Sequence, residues 1–252
     1  MPLVRRMEWR AGSLAVFLGV WEVAGRTTDT LLFPTASATI AEVWRLAGTA
    51  ELWSALWISH QALVVGFPLA VVVAIPAGLA LGRWPALDRW MDVHLNVLLV
   101  TPKSAVMPLF IMALGLGLTA RSLIVFAFAC PVMVATIRAG LKGLDLRLFD
   151  MARAFGAAER HVWRRILLPG ALPAVMTALR LGLARAIAGM VALELLLVAV
   201  GLGHLLLRFQ ADYNAASVYA VVSIVAAEAV LLVRLAAAAE RRFAGWRSVD
   251  LT

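Results

Sequence analysis

One strongly basic stretch, set between long apolar runs, constrains this chain more than any other feature. Residues 145–169, DLRLFDMARAFGAAERHVWRRILLP, hold Arg147, Arg153, Arg160, Arg164 and Arg165 together with His161. The segments on either side are apolar enough to cross a bilayer, and basic residues next to a span resist translocation, so this loop stays on the cytoplasmic side. The composition agrees: 63% of residues are hydrophobic, 15% are charged, and mean hydropathy is +0.90. A soluble domain needs more polar surface than that. The net charge of +8 would suit nucleic acid, but the basic residues fall at the ends of apolar segments. Anionic headgroups and the bias of basic loops to the inside account for them.

Apolar windows predict an all-α integral membrane protein of about six transmembrane helices, near residues 11–25, 60–82, 90–113, 119–140, 171–199 and 217–239. Arg5, Arg6 and Arg10 precede the first; Arg83 and Arg89 follow the second. The basic loop follows the fourth, and Arg241, Arg242 and Arg247 follow the last. An even number of spans with both termini cytoplasmic puts every basic group on one side. The expected organisation is an anchor helix (1–30), an external amphipathic segment (31–58), a transmembrane domain (59–242, with its cytoplasmic loop at about 141–170) and a cytoplasmic tail (243–252). Glu22 interrupts the first apolar run, which favours a retained anchor over a cleaved signal peptide. Phe33-Pro34 marks a turn. Trp44, Trp53 and Trp57 beyond it read either as a docking surface for an external protein or, by their headgroup preference, as interfacial anchors, and the second reading is favoured.

Within the basic loop, Asp145 can cap a short helix whose apolar positions Leu148, Met151, Ala152 and Phe155 share one face, and Gly156 suits the left-handed residue that ends it. A second helix follows, with Val162, Trp163, Ile166 and Leu167 on one side and Arg160, His161, Arg164 and Arg165 on the other. Pro169 and Pro173 are expected to break and restart the chain.

The order Asp150, Met151, Ala152, Gly156, Ile166, Leu168, Pro169 resembles the cytoplasmic loop motif of ABC-importer permeases. The usual opening there is Glu-Ala-Ala, so Asp150 keeps the charge and Met151 departs from alanine. The likeness runs from about residue 34 to 242 and is nearest to the nitrate, sulfonate and taurine branch of the type I, binding-protein-dependent permeases. It is carried also by ELWSALWISHQALVVGF (51–67), TPKSAVMPLFIMALGLG (101–117), and LRLGLARAIAGMVALELL (179–196) with the Gly201-Leu202-Gly203 turn. The branch's tryptophan-phenylalanine pair near Ala113 and Leu114 is missing.

The resemblance implies the type I ABC importer permease fold with a cytoplasmic coupling helix. Leu148, Phe149, Asp150, Met151, Ala152, Arg153, Phe155, Gly156 and Ala157 would dock on a separate ATPase, supported by Ile166, Leu168 and Pro169. It further implies an ABC ATPase dimer carrying ATP and magnesium, a second permease copy, most simply a homodimer, and an external solute-binding protein. The setting would be a bacterial plasma membrane, with the chain binding no cofactor itself and forming half of a pathway for a small solute such as a sulfonate, nitrate, taurine or a vitamin precursor.

Charged groups inside the spans mark a tentative pathway: Lys103, Met107, Arg185 and Glu194. Pro102, Lys103 and Pro108 interrupt the third span. Broken spans line transport routes, although a lysine near a span end can equally snorkel to the surface. Arg180, Arg185 and Glu194 cannot face lipid, where each costs about 2.5–3.5 kcal/mol at the centre of a span. Arg185 and Glu194 point to opposite faces of one helix, so each needs a partner elsewhere; Glu228 is one candidate for Arg185. Gly182 and Gly189 form a stripe where another helix can approach.

No glycine loop followed by lysine and serine or threonine binds phosphate here, no histidine pair has metal-ligand spacing, and Cys130 stands alone. The expectation is therefore a non-enzymatic membrane subunit. The alternative is an ion- or proton-coupled carrier built on Arg185 and Glu194.

Overall fold

The computed structural model describes residues 3–28 and 32–243; the side chains of Arg5, Arg6, Arg10, Arg153, Arg241 and Arg242, and all of Arg247, lie outside that description. Helices follow one another: α1 (Leu3–Thr27), α2 (Ala36–Ala47), α3 (Ala50–Arg83), α4 (Pro85–Val100), α5 (Lys103–Leu114), α6 (Leu118–Lys142), α7 (Leu146–Ala154) and α8 (Glu159–Val162). A π-helical turn (Trp163–Leu167), α9 (Leu168–Leu196), α10 (Gly201–Ala211) and α11 (Ala215–Phe243) complete the chain, and no strand occurs among the described residues. Four helical segments are long and apolar enough to cross a membrane: 50–83, 118–142, 159–196 and 215–238. The pair α4 and α5 passes the same test only when taken together, bent by 93° where Pro102 cannot continue the helix. The predicted first span is not among them. Glu22 and Arg26 interrupt its apolar run.

The chain divides into two units. The first comprises residues 1–59 and 198–228. In it, Glu22 accepts from the Ser37 amide at 2.9 Å and Thr35 accepts from the Ala38 amide at 3.2 Å, so two side chains satisfy the open N–H groups at the start of α2. The Trp21 indole donates to the Pro34 carbonyl at 3.1 Å, fixing the turn predicted at Phe33-Pro34. Arg208 of α10 pairs with Glu51, and the Leu202 amide donates to the buried Ser59 hydroxyl at 3.0 Å. The Arg45 guanidinium beside Glu42 holds that carboxyl below the usual range. Trp44, Trp53 and Trp57 are all exposed.

The second unit, residues 60–197 and 229–252, is organised around α6. A Cβ on Gly66 of α3 would lie 2.3 Å from the Ser122 carbonyl oxygen, and one on Gly78 would lie 2.7 Å from the Ile137 Cβ. Positions on α3 and α6 rise together, so these helices run parallel. On the other side, Gly140 meets Ala174, Gly182 meets Met133 and Gly189 meets Phe128, so α9 runs antiparallel to α6 in constant register. The small-residue stripe on α9 is thus a helix-packing face. Near the ends of α3 and α6, Arg138 bridges Asp88 and Asp92 of α4 while Lys142 also reaches Asp88.

Two sequence expectations change. The helix predicted from residue 60 starts at Ala50, because nothing in residues 50–59 breaks it and Glu51 favours its first turn. Pro169 and Pro173 do not break the chain. The wider π-helical turn comes just before Pro169, where the first turn of α9 leaves its missing N–H without cost, and 159–196 continues as one helical segment.

Gly66→Val should lower stability in detergent by about 1–3 kcal/mol through forced separation of α3 from α6, whereas Gly19→Ala, with nothing within 4 Å of the added Cβ, should leave it unchanged. Thermal unfolding of the two purified variants tests this; equal midpoints would contradict the packing. Asp88→Asn removes a buried carboxylate facing two cations and should cost on the order of 3 kcal/mol. Asp92→Asn, at a side chain 43% exposed, should cost less than about 1 kcal/mol in the same assay.

Candidate coupling loop and solute pathway

The loop between α6 and α9 is built by local rules. Asp145 accepts from the Arg147 amide at 2.9 Å and so caps α7. At the other end Gly156 takes φ +66°, and the Ala157 amide returns to the Ala152 carbonyl at 2.9 Å, a glycine-terminated helix end. Both features agree with the sequence reading. The second helix also has the predicted faces: Val162 and Leu167 are buried, Trp163 and Ile166 half-buried, and Arg160, His161, Arg164 and Arg165 exposed.

Side chains from both short helices return to the end of α3. The Arg83 guanidinium donates to Glu159 at 2.6 Å and lies 5.8 Å from the centre of the Phe149 ring, and Trp84 meets Trp163 at 5.9 Å between ring centroids. Ala152 is buried, and a cavity of about 590 Å³ lined by Arg83, Asp88, Lys142, Phe149 and Asp150 sits behind α7. Opposite, Leu148 is 41%, Met151 52% and Phe155 84% exposed. These three lie at spacings of three and four, so the outward face of α7 is apolar and uncovered within this chain. Asp150, Leu168 and Pro169 are exposed as well.

The tentative pathway residues separate. Lys103 begins α5 directly after the 93° bend, and its Nζ donates to the Leu98 carbonyl at 2.9 Å. Met107 is buried beside it and lines the same cavity of about 140 Å³ as Lys103, Thr101, Phe110 and Phe128. Arg185 is exposed and lies close enough to Lys103 for the two charges to act on each other. Glu194 is elsewhere. It is buried and pairs with Arg121 of α6 at 3.5 Å, which removes it from any solute-facing surface. Sequence reasoning had Glu194 needing a partner but missed Arg121. The signal lies in the register: α6 and α9 are antiparallel, so a charge near the start of one belongs opposite a charge near the end of the other.

Comparison with known proteins follows the same lines. The sequence profile described as binding-protein-dependent transport system inner membrane component matches residues 66–245. The taurine transport system permease protein TauC of Escherichia coli (strain K12) is 29% identical, over 97% of this chain and 92% of that protein. The putative aliphatic sulfonates transport permease protein SsuC of Bacillus subtilis (strain 168) is 28% identical, over 98% and 91%. Among solved structures, a chain from inward-facing structures of the MetNI methionine ABC transporter superposes with a TM-score of 0.62 over 79% of this chain and 94% of that one, at 24% identity, and so shares the fold. The chain belongs to the family of binding-protein-dependent transport system inner membrane components and is a multi-pass permease subunit of an ABC importer.

Proposed function

We propose that this permease forms half of a pathway for a small organic anion and takes its energy from a separate ATPase dimer docked on α7. The observation that carries the coupling role is the uncovered apolar row Leu148, Met151 and Phe155 on a helix tied on its other side to the end of α3. A helix face of this kind, in a loop too basic to leave the cytoplasm, calls for a protein partner. Phe149, Asp150, Ala152, Arg153, Gly156 and Ala157 complete the docking element, and Ile166, Leu168 and Pro169 support the loop where it enters α9. ATP and magnesium belong to the partner, and this chain contributes no chemistry. Two copies of the chain, both termini in the cytoplasm, enclose the path, and an external solute-binding protein delivers the solute. The relatives' names, which describe taurine and aliphatic sulfonate transport, support a sulfonate as that solute.

The test uses the whole transporter in proteoliposomes with its binding protein. Phe155→Asp puts a charge on an exposed position and leaves the fold of the chain alone; ATP-driven uptake of taurine should fall at least about tenfold, since losing on the order of 1.4 kcal/mol of docking energy suffices for that. Gly156→Val, which forces a β-branched residue to positive φ, should give a similar loss. Uptake that survives both changes would end the coupling assignment. Uptake that persists without any ATPase and collapses with the proton gradient would favour the ion-coupled carrier.

A further inference from the structure

Several charges on the helices of the second unit are matched within the chain. Glu194 meets Arg121, and Arg138 and Lys142 meet Asp88 and Asp92. Lys103 has only a backbone carbonyl as partner, and Arg185 has no carboxylate within ion-pair distance among the described residues. Arg185 lies past the middle of the helical segment 159–196, the longest of the candidate spans, where an unmatched guanidinium facing lipid is strongly disfavoured. It must face water, a ligand or another chain, not lipid.

Two independent features bring it to the bend between α4 and α5. Arg185 stands three residues after Gly182 and four before Gly189, so it shares the side of α9 on which Gly189 packs against Phe128. Phe128 in turn lines the small cavity that Lys103 borders. The two cations are also near enough to repel each other. Like charges held together without an acid are unfavourable unless something negative visits them. The adjoining cavity, about 140 Å³, is walled by Leu98, Met107, Phe110 and Phe128, with Thr101 as its other polar neighbour. It has room for a short hydrocarbon body and not for a large one.

We infer that Lys103 and Arg185 form an anion-recognition station in the permease itself, which holds the sulfonate or carboxylate head of a short-chain organic acid while its aliphatic part enters the cavity beside Met107 and Phe128. The inference rests on the permease reading above and adds to it that selection by charge does not reside only in the external binding protein. Lys103, at the corner of a broken span, and Arg185, on a continuous one, come from different helices, so a relative movement of α5 and α9 would make or dismantle the station.

The experiment measures charge preference at the site without assuming a solute. In the assembled transporter in membranes, Cys130→Ala removes the chain's own thiol and Thr101→Cys places one at the cavity. Its modification, read by mass spectrometry of this chain, is compared for sulfonatoethyl methanethiosulfonate, itself a short sulfonate, and its cationic trimethylammonium analogue. The ratio of anionic to cationic rates should be at least about tenfold higher with both cations present than in the Lys103→Gln, Arg185→Gln variant. Lys103→Arg and Arg185→Lys should preserve it. An unchanged ratio on removing the charges, or a cysteine that neither reagent reaches, would overturn the proposal. Taurine uptake by the unaltered transporter is a separate readout: charge preference with no ATP-driven uptake of any solute would sink the importer reading and leave the anion station standing.

Discussion

Helix α6 can exist where it does only because glycine lies on both of its neighbours. Inside a bilayer, pulling two helices together gains nothing from the hydrophobic effect, since lipid tails are as apolar as leucine, and association depends on how closely backbones approach. Gly66 and Gly78 bring α3 against the backbone of α6, and Gly182 and Gly189 bring α9 against its other side. The core then fills with Met133, Ile137, Val125 and Met190, all nearly inaccessible. The constant register of α6 and α9 has a further effect. The loop joining them, with α7, is the connection of an antiparallel pair already locked along its length, so α7 rests on a rigid base.

That same register decides which charges are available. It places Arg121 opposite Glu194 and buries both, which is tolerable because each satisfies the other in a medium that offers no water. The Arg138 bridge to Asp88 and Asp92 does the same work between α4 and α6. Lys103 at the bend after α4 and Arg185 on α9 have no such carboxylate among the described residues. A surface whose charges are answered internally has little to offer a passing ion. Only the residues left over can discriminate.

The shape of the loop between α6 and α9 was legible from the sequence because every rule that forms it is local: a capping aspartate, a glycine at positive φ and an apolar row at helical spacing. The bend at Pro102 was legible for the same reason. The partner of Glu194 was not, because Arg121 is 73 residues away and only the pairing of α6 with α9 brings it near. The continuity through Pro169 and Pro173 was missed because a proline's effect depends on the turn before it, and here that turn is π-helical. Likewise the role of Glu22 emerges only once its hydrogen bonds to Ser37 show it holding the start of α2.

The ties of α7 and α8 also determine where a push on the loop would go. Arg83 and Trp84, at the junction of α3 and α4, hold Glu159, Phe149 and Trp163 directly. Toward α9 the chain passes through a π-helical turn, where the backbone bonds shift to i→i+5 spacing. A force on the exposed face of α7 therefore passes to α3 and α4 through these side chains and to α9 along the helical backbone. Since α4 leads through the bend to Lys103, while Arg185 is carried by α9, such a force reaches the two cations by different routes. Coupling and charge selection, which the sequence presents as separate features some forty residues apart, thus share one mechanical frame.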